Sequence, residues 1–207
     1  MKREEKNQQT KRRIMEAALA EFSAQGYGAS SINTICAAQD ISKGIVYHYF
    51  ETKDALFLAC VNECFQRLTE YIRAHMSQQD RTENSLENYF AIRTNFFQSY
   101  PVYQRIFCEA VISPPAHLRG EIQKCKQDFD DLNIQILKGL LTPLSLRPSF
   151  SKEEVIEIFR QFQDFINIRY QMSNAEGQTF RAHEETCRQT LDILLYGVIE
   201  RKETRND

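Results

Sequence analysis

At 207 residues, 42% of them hydrophobic, the chain has enough apolar material for one substantial core or for a small domain joined to a larger one, which sets intrinsic disorder aside. Only five prolines and seven glycines punctuate long stretches of Leu, Ala, Glu, Gln, Lys and Arg, so the expected fold is all-α. The net charge of −2 gives the whole molecule no nucleic-acid signature, no apolar run reaches the roughly 20 residues of a membrane span, and the six cysteines lie scattered without CxxC pairs, so a cytoplasmic protein with reduced thiols is expected.

Charge is unevenly placed. The first thirteen residues carry Lys2, Arg3, Lys6, Lys11, Arg12 and Arg13 against Glu4 and Glu5, which reads as a basic N-terminal arm over residues 1–9. Helical spacing of Ile14, Ala17, Ala18, Leu19 and Phe22 follows, with Thr10 as the expected N-cap and Gly26 as the stop. Ser30 and Ser31 offer caps for a short second helix through Ile32, Ile35, Cys36 and Ala38. Ser42 caps a third over residues 43–50, in which Val46 and Phe50 share one face. Asp40, in the turn between them, is a residue that tolerates positive φ. Thr52 caps a longer fourth helix reaching about His75, along which Leu56, Phe57, Cys60, Val61, Cys64, Leu68 and Tyr71 keep the helical period.

Polar residues from Ser77 to Ser85 mark a loop. Helices are then expected near 86–100, 101–111, 117–141, 151–173 and 179–201, with prolines in or beside the connections and a capping box at Ser151 and Glu154. No internal repeat is present.

Three helices of these lengths, with a tight turn between the second and third, match a helix-turn-helix over about 31–50, whose second helix enters the major groove. The third helix divides accordingly. Val46 and Phe50 turn to a core, while Lys43, Gly44, Ile45, Tyr47 and His48 form an outer surface of a cation, hydrogen-bonding rings, an apolar group and a glycine that permits close backbone approach. Gly26-Tyr27, Ser30-Ser31-Ile32, the run from Ile41 through Phe50 and Thr52-Lys53-Asp54-Ala55-Leu56 together resemble the DNA-binding domain of the TetR (tetracycline repressor) family, over roughly the first 65 residues.

That resemblance implies a DNA-binding domain at 10–65 and a helical effector-binding and dimerisation domain at 66–207. It places Lys43, Gly44, Ile45, Tyr47, His48 and Tyr49 against bases and phosphates, with Tyr49 equally able to pack on the first helix. Asn33 and Thr34 can touch bases or backbone, Ser30 or Ser31 presents a hydroxyl and amides to a phosphate, and Lys53 resembles the family's phosphate-contacting lysine. The implied partners are double-stranded operator DNA, a second copy of the chain and a small-molecule effector, with no membrane and no cofactor.

For the effector, the resemblance implies a pocket among the later helices, with Tyr89, Arg93, Phe97, Tyr103, Phe107, Asn133, Phe162 and Arg169 as candidates. Aromatic stripes at helical spacing also build cores. Arg93 lies on an aromatic face, so its charge needs either an acidic side chain or an anionic ligand. The last two helices offer Phe162, Ile166, Leu191, Leu194, Leu195 and Val198 for the four-helix dimer contact usual in the family. Catalysis finds no support: His48, His75, His117 and His183 are widely separated, and no P-loop, nucleophile elbow or HExxH is present, so no catalytic or metal site is assigned. A thiol- or metal-responsive sensor using Cys60 and Cys64, four apart on the fourth helix, is the alternative, and a helical interaction scaffold indifferent to DNA is a third.

Overall fold

A computed structural model describes residues 3–76, 85–173 and 180–198. Among these the chain is helical, with α1 at Arg3–Ala29, α2 at Ile32–Ala38, α3 at Lys43–Tyr49, α4 at Lys53–His75, α5 at Ser85–Ser99 and α6 at Val102–Val111. A 3-10 turn at Ala116–Leu118 precedes α7 at Arg119–Cys125, α8 at Gln127–Leu141, α9 at Lys152–Ser173 and α10 at Phe180–Val198. The all-α expectation holds.

Two compact units emerge. The first comprises residues 1–71 and 95–129, and the second residues 72–94 and 130–207, so the division falls inside α4, α5 and α8. The expected loop at 77–85 and the far ends of the helix expected at 179–201 lie largely outside the described residues.

The caps form as the residue types dictate. Ser31 caps α2 by accepting from Asn33 N at 3.1 Å, Ser42 caps α3 by accepting from Ile45 N at 3.4 Å, and Thr52 Oγ1 accepts from Ala55 N at 3.0 Å at the start of α4. Ser151 and Glu154 complete a reciprocal capping box on α9. Asp40 adopts φ 51 in the turn, which a short polar side chain tolerates.

Two expectations give way. Thr10 does not cap: its hydroxyl donates to the Lys6 carbonyl at 2.9 Å, one turn back, so α1 runs through the expected arm to Arg3. The helix expected over 117–141 is interrupted at Lys126, where ψ falls to 0, although no glycine or proline marks the place.

In the first unit Ile14, Ala18 and Phe22 of α1, Ile35 of α2, Val46 of α3 and Leu56, Phe57, Val61 and Leu68 of α4 are buried. Phe57 meets Phe22 edge-on at 5.1 Å and Tyr27 at 4.9 Å. The chain turns out of α1 at Gly26, with φ 76 and ψ 169, a region open in practice only to glycine. Arg105 of α6 donates to the carbonyls of Ala24 and Gln25 at 3.1 and 3.3 Å, satisfying acceptors at that helix end, while both Glu109 oxygens accept from Tyr27 N at 2.9 and 3.0 Å. A Cβ on Gly26 would stand 2.5 Å from Glu109 Oε1, the movable end of a flexible side chain, so it is the dihedral that demands glycine.

Glu63 of α4 gathers three donors on one oxygen: Arg12 of α1 and Arg67, each at 2.9 Å, and the Tyr103 hydroxyl of α6 at 2.7 Å. Burial alone would raise its pKa, but the Tyr103 hydroxyl and the Arg12 guanidinium outweigh that and hold it below the ordinary carboxylate value. A carboxylate depressed in the folded state stabilises fully above its unfolded pKa of about 4.3, and that contribution fades as pH falls through the lower, folded value. Glu63→Gln is expected to cost about 1 to 3 kcal/mol at pH 7. In urea titrations from pH 7 to pH 3, the gap between wild type and variant should be constant near neutrality and narrow below pH 4.

Candidate nucleic-acid interface and ligand cavity

The outer face of α3 is open. Lys43, Gly44, Ile45, Tyr47 and His48 are exposed, Ile45 by 43% and Tyr47 by 46%, while Val46 beneath them is buried. Asn33 and Thr34 on α2 are also exposed. Large apolar groups left in water on a short helix have no packing role in the chain itself.

The supporting residues face inward. Ser30 is buried and its hydroxyl donates to Tyr27 O at 2.8 Å, so it offers no hydroxyl to a phosphate. Ser31 spends its hydroxyl as the α2 cap and its amide on Glu21 Oε1 at 3.0 Å. Lys53 donates to Ser30 O at 3.1 Å and lies 4.5 Å from the centre of the Tyr27 ring, which holds its charge against the protein. Tyr49 is half-buried, with its hydroxyl bonded to Asn7 Oδ1 on α1.

Sequence reasoning missed the brace formed by α1. Arg13 donates to the Gln39 carbonyl at 2.5 Å at the end of α2, Lys11 lies 5.8 Å from the Phe50 ring centre, and Arg12 is bound to Glu16 and Glu63. Three cations just beyond the expected arm are thereby engaged with the protein. Composition gave the charges, and only the path of α1 past α2 and α3 shows where they go.

In the second unit a cavity of about 20 Å³, room for one water, is lined by Tyr89, Phe90, Arg93, Asn133 and Gln163 among apolar neighbours. Arg93 is 3% exposed and pairs with Glu184 Oε1 at 3.0 Å; it also donates to the Tyr89 hydroxyl at 3.1 Å, which donates to Asn133 Oδ1 at 2.6 Å. Burial opposes the charge on Arg93, and the Glu184 carboxylate more than offsets it, raising the guanidinium above its ordinary pKa. The partner that Arg93 needed is thus an acidic side chain.

Of the effector candidates, Tyr89, Arg93 and Asn133 come together here. Phe97, Tyr103 and Phe107 do not: all three are buried in the first unit, where Phe97 and Phe107 lie 5.1 Å apart and Tyr103 binds Glu63, so they are core. Phe162 and Arg169 are exposed and line no part of the cavity. Phe90, Gln163 and Glu184 were missed; no spacing rule pairs Glu184 with Arg93 across 91 residues.

Along α9 and α10, Ile166 and Leu191 are buried within the unit, so packing in the single chain accounts for them. Phe162, at 42%, remains exposed and Leu194 and Leu195 are half-exposed; Phe165 is exposed too, as are Ile168 and Ile193, which sequence reasoning did not name. The side chain of Val198 lies outside the described residues. Cys60 and Cys64 are fully buried, and burial pushes both thiols well above their ordinary pKa, so neither supplies the accessible thiolate that a sensor requires.

The capped, braced three-helix unit, with the outer face of α3 open, has the arrangement of a helix-turn-helix. Residues 14–60 match the model of the bacterial regulatory proteins of the tetR family. Over 190 residues the chain is 22% identical to the HTH-type transcriptional regulator RutR of Escherichia coli O157:H7, covering 92% of this chain and 89% of that one. It is 24% identical over 176 residues to IcaR of Staphylococcus aureus (strain Newman), a negative regulator of the biofilm operon icaADBC, covering 74% and 93%. The fold of FadR from Bacillus subtilis, solved with stearoyl-CoA, superposes with a TM-score of 0.63 at 14% identity, covering 89% and 97%. Over its N-terminal region the chain is thus similar to the tetR family of bacterial regulatory proteins, and the relatives that match most of its length are transcription regulators.

Gly44 offers a test that separates the needs of the fold from those of the expected DNA contact. A Cβ there meets nothing closer than Ser42 Oγ at 4.0 Å, so the fold itself has no need of glycine, and glycine inside a helix costs about 0.5 to 1 kcal/mol relative to alanine. Gly44→Ala is expected to leave or slightly raise urea stability while weakening binding to selected duplex DNA by about 1 to 3 kcal/mol, the range of one base-edge contact, in fluorescence anisotropy.

Proposed function

We infer that the protein is a ligand-responsive repressor that binds a palindromic operator as a homodimer and leaves it when a small molecule binds. The observation that carries this reading is the open face of α3, with Lys43, Ile45, Tyr47 and His48 exposed on a helix whose opposite side is buried. DNA reading is assigned to residues 10–65, with Asn33 and Thr34 as flanking contacts, and effector binding and dimerisation to residues 66–207. The setting is the cytoplasm, where operator DNA is reached.

Two identical α3 helices related by a twofold axis need two symmetry-related half-sites, which is why a palindrome is expected. Exposed apolar groups on α9 and α10, Phe162, Phe165, Ile168 and Ile193, support a contact with a second copy, since such groups cluster where surface is to be covered. The cavity around Tyr89, Arg93 and Asn133 supports an effector site, and a hundredfold loss of operator affinity on effector binding needs a coupling of about 2.7 kcal/mol, within the ordinary range.

Lys43→Ala and Tyr47→Ala should each weaken operator binding by about 1 to 3 kcal/mol with the melting curve unchanged, measured on DNA selected from a random pool. Wild-type affinity in both folded variants would remove α3 from the role of reader. Phe165→Glu together with Ile193→Glu should convert the dimer to a folded monomer in light scattering, since both side chains are exposed in the single chain and the charges fall only on the proposed contact. A variant that remained dimeric would move the interface elsewhere.

A further inference from the structure

We propose that the cavity of the second unit selects an uncharged ligand, an apolar body carrying an amide or hydroxyl-type group, and discriminates against carboxylates. This rests on the reading of that cavity as the effector site. Among the described residues lining it, Arg93 is the cation, and its charge is already balanced inside the protein by Glu184 at 3.0 Å.

The energetics follow from what an anion would have to do. A carboxylate taking Arg93 for itself gains an ion pair that already exists and leaves Glu184 buried, 5% exposed, without its guanidinium. Leaving one partner of a buried pair uncompensated is strongly destabilising, and here the second Glu184 oxygen, Oε2, has no hydrogen-bond partner even with the pair intact. Among the described residues Glu184 has one other neighbour capable of pairing, His183 Nδ1 at 3.5 Å from the same Oε1, but the Nε2 side of that ring is engaged with Asn167 Oδ1 at 2.9 Å. A carboxylate admitted beside an intact pair fares no better, since two negative groups would share one cation in an apolar layer.

A neutral ligand meets no such penalty. Asn133 and Gln163 line the cavity with carboxamides, which both donate and accept, and the Tyr89 hydroxyl is held by Arg93 and Asn133. The remaining lining is apolar, and the half-buried Ile136, Leu140 and Phe159 are the side chains with freedom to yield to a molecule larger than the single water that fits.

The test uses the full chain and matched pairs of probes: hexanamide with hexanoate, and phenylacetamide with phenylacetate, titrated at pH 7.5 by calorimetry and by thermal unfolding. The expected result is at least a tenfold preference for each amide over its carboxylate. Glu184→Gln, which leaves the Arg93 charge unbalanced, should reverse that order at least tenfold. In case that variant fails to fold, the doubly neutral R93M/E184L should fold and still reject both carboxylates. Equal or tighter binding of carboxylates by the wild type, or an unchanged preference in folded Glu184→Gln, overturns the selectivity while the site stands. Binding of neither series overturns the effector-site reading, and the inference with it.

Discussion

A helix of seven residues has no stability of its own in water, because the cost of nucleating a helical turn is recovered only over a dozen or so residues. Both α2 and α3 are that short. The surface proposed to read DNA must therefore be held from outside, and α1 does most of the holding. It supplies Arg13 to the end of α2, Asn7 to the Tyr49 hydroxyl and Lys11 to the Phe50 ring, while Ile14, Ala18 and Phe22 fill the space behind. In turn α1 is fastened to α6, by Arg105 and Glu109 at its broken end and through the Glu63 carboxylate near its start. The placement of α3 in the first unit thus depends on a chain of contacts running α3, α1, α6, charge-assisted between α1 and α6.

Two buried or half-buried carboxylates illustrate different uses of charge. Glu63 receives hydrogen bonds from three donors and joins three helices, so its ionisation reinforces packing. Glu184 balances one cation and leaves an oxygen without a partner. Ion pairs removed from water are poor sources of stability, and well-packed apolar residues commonly do as well or better. The Arg93 pair is better understood as a constraint on what else can share its space than as a fastening.

How far sequence reading reached depended on whether the signal was local. The caps at Ser31, Ser42 and Thr52, the positive φ of Asp40 and the split of α3 between Val46 and Tyr47 all follow from residues within a turn of one another, and they are legible. What failed was non-local. Nothing near Ser30 announces that its hydroxyl turns inward, and nothing near Lys11 to Arg13 says those cations are engaged by Phe50, Glu63 and Gln39. Among the aromatics, spacing placed Phe97, Tyr103 and Phe107 on apolar faces correctly but could not say whether such a face meets a core or a cavity. The Lys126 interruption has no local signature that we can identify.

The first unit is discontinuous, and that has a consequence for synthesis on the ribosome. Residues 1–71 contain the whole of the proposed reading surface, yet the contacts that fasten α1 come from Tyr103, Arg105 and Glu109, and the unit is complete only at Phe129. At about 5 to 20 residues per second, the 58 residues after Tyr71 take about 3 to 12 s to be made. During that interval the segment from α1 to α4 lacks the α6 contacts that fasten it, so the first unit is completed only late in synthesis.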